Sequence, residues 1–254
     1  MLELTNLQKE VSKLILETPA PGKHSARSAI MHIQKAWQIK DTDREMAVFR
    51  AITGEEESVT AIFHALKRRK YEDAEKLNPR NHLHKAAVFP FFIAVSQALD
   101  VANQMGLQPT IELRKHNKSA RFLVRLTVPT PDGKQSWAYP DPPLHYTVSI
   151  DSQLHDFSDQ LSKLANEKNR KSIIDHVRAL ANKRNQILYA SSEGIPAIEH
   201  SIDSYLLRRR DIIFNNLIVY LMIDPYKKKQ LFVQQALSAF LKMLRLIPKD
   251  INFE

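Results

Sequence analysis

Between residues 108 and 150 the hydrophobic pattern of this chain changes its period. The segments TIELRK, ARFLVRLTV, SWAY and LHYTVSI alternate apolar and polar residues, the spacing of a strand buried on one side. Before and after this stretch, apolar residues recur every three or four positions, which is the helical spacing. Short antiparallel strands need one covered face, and the flanking helices are the covering available. The expected fold class is therefore α+β, mainly α: a helical bundle interrupted by a small antiparallel β-sheet at about 108–150, within a single domain spanning 1–254. Within ARFLVRLTV, Phe122, Val124, Leu126 and Val128 share the face expected to pack, joined by Tyr146 and Val148. Arg121, Leu123, Arg125 and Thr127 share the wetter face. PTPDGK, with Asp132 and Gly133 at its tip, predicts a turn between two of the strands.

Leu4, Leu7, Val11 and Leu14 predict an amphipathic helix over 2–17, stopped by TPAPG at 18–22. A second helix is expected over 25–38. Thr42, with Glu45 three residues on, has the pattern of a capping box and opens a long helix to about Lys70, with Gly54 as a weak point inside it. Pro90 belongs to the first turn of the next helix or kinks it, because it has no N–H to donate. That helix runs to about Gln104. Further helices are expected over 154–166, 171–190, 197–223 and 226–246.

Composition excludes several functions. The chain has 5 Gly, at 22, 54, 106, 133 and 194, too scattered for a P-loop or a dinucleotide-binding fingerprint. It has no Cys, so disulfides, thiolate metal sites and cysteine nucleophiles are absent, which suits a reducing, cytoplasmic setting. Glu3 and Glu10 interrupt the N-terminal stretch, so no signal peptide is expected. The longest apolar run, 212–223, is too short to span a bilayer and holds Asn215 and Asn216, so no membrane association is expected. The net charge is +9 with a pI near 9.6, a balance that favours polyanionic partners, nucleic acid above all and RNA ahead of DNA. A homo-oligomer or a larger protein assembly is also compatible with the sequence, and no cofactor is expected.

The sharpest local signals are charges inside apolar stripes. In the long helix the row Phe49, Ile52, Val59, Phe63, Leu66 passes through Glu56, and the row Val48, Ile52, Val59, Ile62, Leu66 passes through Glu55. Ile173, Val177, Leu180 and Ile187 form a later stripe that passes through Arg184. A buried charge requires a partner. Arg184 is expected to pair with Glu55 or Glu56, or each to meet the segment RNHLHK at 80–85. Such groups form an ion pair that fixes helix register, or reach solvent by snorkelling, or build a functional polar cluster. His82 and His84, with a carboxylate from Glu55–Glu57 or with His64 nearby, are the residues a metal-dependent reading would use.

At Arg184 and Asn185 the segment RNQILY resembles the active motif of HEPN domains, in which an Arg, usually followed by a polar residue, precedes a His by four to six residues on a helix. The resemblance covers about twenty residues and the mostly helical character. Tyr189 stands where the His would be, and the second candidate, Arg80-Asn81 with His84, has its His one residue too close. The sheet would be an insertion in such a bundle. The resemblance implies a metal-independent ribonuclease, as in many toxin or antiviral defence systems, or a protein that binds nucleotides or nucleic acid without cutting. In the cleaving case the RNA 2′-hydroxyl is the nucleophile, His84 or His82 the base, and Arg184 or Arg80 holds the scissile phosphate. Arg80 and Lys85 are suited to hold a phosphate. The alternatives are a non-enzymatic binding or regulatory module and a metal-dependent helical enzyme. The module would present Lys85, Arg114, Arg121, Arg125, Arg208, Arg209 and Arg210 to nucleic acid.

Overall fold

The computed structural model describes residues 2–104, 108–116, 119–130, 134–146, 149–150, 153–154 and 201–245, with Asp156, Ser158 and Ile187 singly. The chain is mainly helical with a small three-stranded antiparallel sheet. Helix α1 (Asn6–Glu17) starts where Thr5 and Gln8 form a reciprocal capping box, which delays the expected start by four residues. Helix α2 (Gly22–Ile39) and helix α3 (Arg44–Arg68) follow, joined by a four-residue turn. The cap of α3 is Asp43, whose carboxylate accepts the Met46 N–H at 2.9 Å. Thr42, the residue expected there, instead donates its hydroxyl to the Ile39 carbonyl and closes the helix before it. Both residues are good caps, and the carboxylate adds favourable charge at the positive helix end.

After a 3₁₀ turn (Ala74–Lys76) come α4 (His82–Ala86) and α5 (Val88–Gln104), with Pro90 in the first turn of α5 where a missing N–H costs nothing. The sheet is β1 (Gln108–His116), β2 (Ser119–Pro129) and β3 (Gln135–Ala138) in that order, and β4 (Ser149–Ile150) pairs separately with β5 (Gln153–Leu154). The chain closes with α6 (Ile202–Ile223) and α7 (Leu231–Arg245).

Small residues set how closely the helices approach. Ala26, Ala29, Ile33 and Ala36 of α2 are fully buried, as are Ala47, Ala51, Ser58, Ala61 and Ala65 of α3. At the centre of α3, a Cβ on Gly54 would lie 3.0 Å from the Ala29 carbonyl oxygen and 3.0 Å from Ile213 Cδ1. Gly54 is therefore a point of close approach between α3 and both α2 and α6, rather than a weakness in the helix. Asn216 of the apolar run is turned to this seam and donates to Ser58 Oγ at 2.9 Å. On the far side of α3, Phe91 of α5 meets Phe240 of α7 edge to face with centroids 5.2 Å apart, and Phe63 lies 6.4 Å from the same ring.

The sheet docks through the even residues of β2. Phe122 and Val124 are each 3% exposed, and Leu126 is half-buried. Tyr226, beyond α6, donates its hydroxyl to the Phe122 carbonyl at 3.2 Å. LHYTVSI departs from expectation. Residues 144–146 form no strand. Gln230, fully buried, accepts the Leu144 N–H at 2.7 Å and donates to the Met222 carbonyl, while its own N–H bonds the Tyr71 hydroxyl. Tyr146 stacks on Phe232 with centroids 5.0 Å apart, so its burial comes from α7 and not from strand pairing. Holding Gln230 in this role keeps residues 226–230 out of helix and moves the start of α7 to Leu231. Asp132, Gly133 and Val148 lie outside the described residues, as do the expected helices over 154–166 and 171–190 apart from Leu154, which belongs to β5 rather than to a helix, and Asp156, Ser158 and Ile187. No helix among the described residues is long and apolar enough to cross a membrane.

Gly54→Val should lower the free energy of unfolding by about 1–3 kcal/mol, because the added carbons press on backbone and on Ile213 in a packed seam. Urea unfolding checks this, and an unchanged midpoint would show that the helices are not in contact there.

Candidate nucleic-acid interface

The odd residues of β2 point away from the helices, and with them go their partners across the ladders. Arg114 of β1 sits opposite Arg121, and Thr127 sits opposite Trp137 of β3. Tyr139 follows Trp137 by two residues and returns to the same face. The exposed face thus carries Arg114, Arg121 and Arg125 with two large aromatic rings, Trp137 at 55% and Tyr139 at 38% exposure. The Arg114 guanidinium lies 4.4 Å from the centre of the Tyr139 ring and hydrogen-bonds its hydroxyl. Glu112 stands between two of the cations, accepting from Arg114 Nε at 2.8 Å and facing Arg125 Nη1 at 2.8 Å. Arg121 is exposed and carries its charge into solvent.

Arg121 also lines a cleft of about 340 Å³ between the sheet and the helix ends. Arg68 and Arg69, at the C-terminus of α3, form its other basic wall, and Asp224, Tyr226, Thr18 and Glu17 complete it. Asp224 is buried, and burial raises its pKa against the pull of Arg68 and Arg69. Arg68 Nη1 approaches its carboxylate at 3.3 Å, while Arg69 binds the Asp224 carbonyl oxygen through Nε and Nη2. Burial and the adjacent Arg68 lower the pKa of Arg69.

The other basic residues expected at a binding surface are divided by helical geometry. Arg208 is exposed. Arg210 bonds Asp211 and the Glu3 carbonyl. Arg209, between them, turns inward and forms a short ion pair with Glu55, which is 8% exposed. Burial works against the Arg209 charge, but Glu55 and Tyr205 outweigh it and leave the pKa raised. Arg209 is thus a structural cation and not a surface one. Lys85 needs the same correction. It is 7% exposed and binds Glu56 Oε2 at 3.0 Å, because Glu56, turned toward α4, requires a counter-charge there. His82 Nδ1 meets the other oxygen of Glu56 at 2.7 Å. The third carboxylate, Glu57, is half-buried beside Ser25, and burial raises its pKa despite Lys85.

The RNHLHK segment therefore does meet the acidic run of α3, through Glu56. The partner of Glu55 is Arg209; Arg184, Asn185 and Tyr189 lie outside the described residues. Arg80 is exposed, and Asn81 spends its side chain capping α4, accepting from the Leu83 and His84 amides. His84 Nδ1 accepts the Asn78 N–H at 3.2 Å. Among the described residues no three His, Asp or Glu side chains gather where a metal could sit, and His64 and His84 do not join Glu55–Glu57.

No protein-family model, curated protein or solved structure matches this chain. Trp137, Tyr139, Arg68 and Arg69 are not among the site residues expected from the sequence. The spacing of Trp137 and Tyr139 in SWAY nevertheless places both on one face, and the alternation of β2 places Arg121 and Arg125 together. Arg68 and Arg69 carry no local signal, since only the fold brings the end of α3 to β2.

Arg209→Met should cost about 3–5 kcal/mol, because it strands the buried Glu55 charge, and the double variant with Glu55→Leu should recover much of the loss. Chemical unfolding of the two single variants and the double gives the coupling. Stability should also fall with pH below about 6.5. Burial lowers the pKa of His32, His64 and His84 below the ordinary 6.5, so the unfolded chain takes up protons first and stability is lost as pH drops through that range. Protonation of His84 also forfeits its bond from Asn78. Thermal midpoints between pH 7.5 and 5 check the sign, and His84→Gln should flatten the curve.

Proposed function

We propose that this protein binds single-stranded nucleic acid, RNA in the first place, on the exposed face of its sheet. The observation that carries the reading is the company of Arg114, Arg121 and Arg125 with the exposed rings of Trp137 and Tyr139 on that one face. Guanidinium groups attract the phosphate backbone, and an exposed aromatic ring offers its flat side to an unpaired base. A duplex hides its bases, so stacking selects single strands. The net charge of +9 supports the same partner through long-range attraction. The reading is one of binding without cleavage. The HEPN-like ribonuclease expectation rests on Arg184 and Asn185, which lie outside the described residues.

The test is a titration of labelled single-stranded RNA at several salt concentrations. The parent should bind with an affinity that falls steeply with salt, at about −0.7 per phosphate neutralised on a log–log scale. Trp137→Ala should weaken binding by about 5- to 150-fold, the equivalent of about 1–3 kcal/mol for one stacked base. Arg121→Glu should weaken binding and flatten the salt dependence. Arg208→Glu, on the opposite part of the molecule's basic inventory, should do less. An affinity untouched by Trp137→Ala would remove the sheet face from the reading, and no binding at low salt would remove nucleic acid altogether.

A further inference from the structure

The cleft at the edge of this face has a charge that its own residues do not balance. Three guanidinium groups line it, from Arg68, Arg69 and Arg121. The buried carboxylate of Asp224 answers one of them, Arg68, at 3.3 Å. Arg69 gives its hydrogen bonds to a carbonyl oxygen, which carries no net charge, and Arg121 projects into solvent. Glu17 stands at the rim, exposed as Arg121 is. Among the described residues, the Arg69 and Arg121 guanidinium groups are thus in ion-pair contact with no carboxylate. Burial, and after it the neighbouring Arg68, lower the Arg69 pKa, while Asp224 acts in the opposite direction.

An internal phosphodiester carries one negative charge, whereas a phosphate monoester carries about −1.5 to −2 at neutral pH. The monoester also presents three terminal oxygens, enough to engage the guanidinium groups of both Arg69 and Arg121. A volume of about 340 Å³ exceeds that of a bare phosphate and leaves room for the sugar attached to it. Arg121 belongs both to this cleft and to the exposed sheet face beside Arg114 and Arg125, so a strand lying on the face can end in the cleft without leaving the protein. The geometry points to recognition of a strand end: we infer that the Arg68–Arg69–Arg121 cleft receives the terminal phosphate monoester of a nucleic acid whose bases lie on the sheet. Arg69 and Arg121 hold the phosphate oxygens, and Tyr226 lies beside them at the same wall. This inference rests on the sheet-face reading and adds to it a preference for one kind of end.

The experiment uses the full chain and three single-stranded RNAs of one sequence, internally labelled, bearing a 5′-phosphate, a 3′-phosphate or hydroxyls at both ends. One phosphorylated form should bind about tenfold tighter than the unphosphorylated form, and which one does so identifies the end. Arg69→Gln should abolish the difference. Should that variant fail to fold, Arg121→Gln, at an exposed position, serves instead and should reduce it. Glu17→Gln should enlarge the difference by removing the repelling carboxylate at the rim. Trp137→Ala should weaken all three RNAs alike and leave their ratio intact. Equal binding of the three RNAs by the parent, with Trp137→Ala still weakening them, would overturn the end-recognition inference and leave the sheet-face reading standing. Binding of none of them would remove that reading and this one together. A preference that survives both arginine variants would place the phosphate elsewhere and overturn the assignment to the cleft.

Discussion

A carboxylate taken out of water needs a counter-charge, and α3 carries three carboxylates in succession at the very place where its neighbours press closest. Consecutive residues on a helix point about 100° apart, so Glu55, Glu56 and Glu57 cannot share one partner. Glu55 is directed to Arg209 on α6, Glu56 to Lys85 and His82 on α4, and Glu57 to Ser25 on α2. Three of the elements packed around α3 are therefore each addressed by a different acid. Gly54, one residue before the run, lets α2 and α6 in close enough for those contacts to be made. The basic character of RNHLHK, set against an apolar helix, follows from the same requirement: Lys85 and His82 answer Glu56.

The architecture was legible because its signals are periodic. A change from helical spacing to strict alternation and back survives errors of a residue or two, and it located β1, β2 and β3. Where neighbouring residues offer the same chemistry, the sequence was silent. Thr42 and Asp43 are both good caps, and the choice between them rests on which one the preceding helix needs. LHYTVSI alternates as a strand does, yet an irregular segment pinned by Gln230 buries Tyr146 equally well. The stripes through Glu55 and Glu56 say that these acids turn inward, but not toward what. Among 37 Lys and Arg, nothing local separates Arg209, which is buried, from Arg208, which is not.

The surfaces that remain after these obligations are met are the ones free to act on other molecules. The even residues of β2 are committed to the core and the odd ones are not. Arg121 has no structural duty of the kind that holds Lys85 or Arg209. Exposed tryptophan on a strand is expensive to leave in water, and Trp137 sits opposite Thr127 in the ladder with no apolar cover from that partner. The cleft shows the same logic in charge: among the described residues the Asp224 carboxylate is in ion-pair contact with Arg68 and with neither Arg69 nor Arg121.

The pairing of Glu55 with Arg209 also orders events in time. Helices α2 and α3 are joined by a four-residue turn and can close on each other as soon as both exist, with little loss of chain freedom. The arginine that neutralises Glu55 lies 154 residues further along. Until α6 arrives, a hairpin of α2 and α3 keeps Glu55 hydrated and the seam around it open. Burial of Glu55 beside its counter-charge therefore depends on closing that long loop, a contact of high sequence separation.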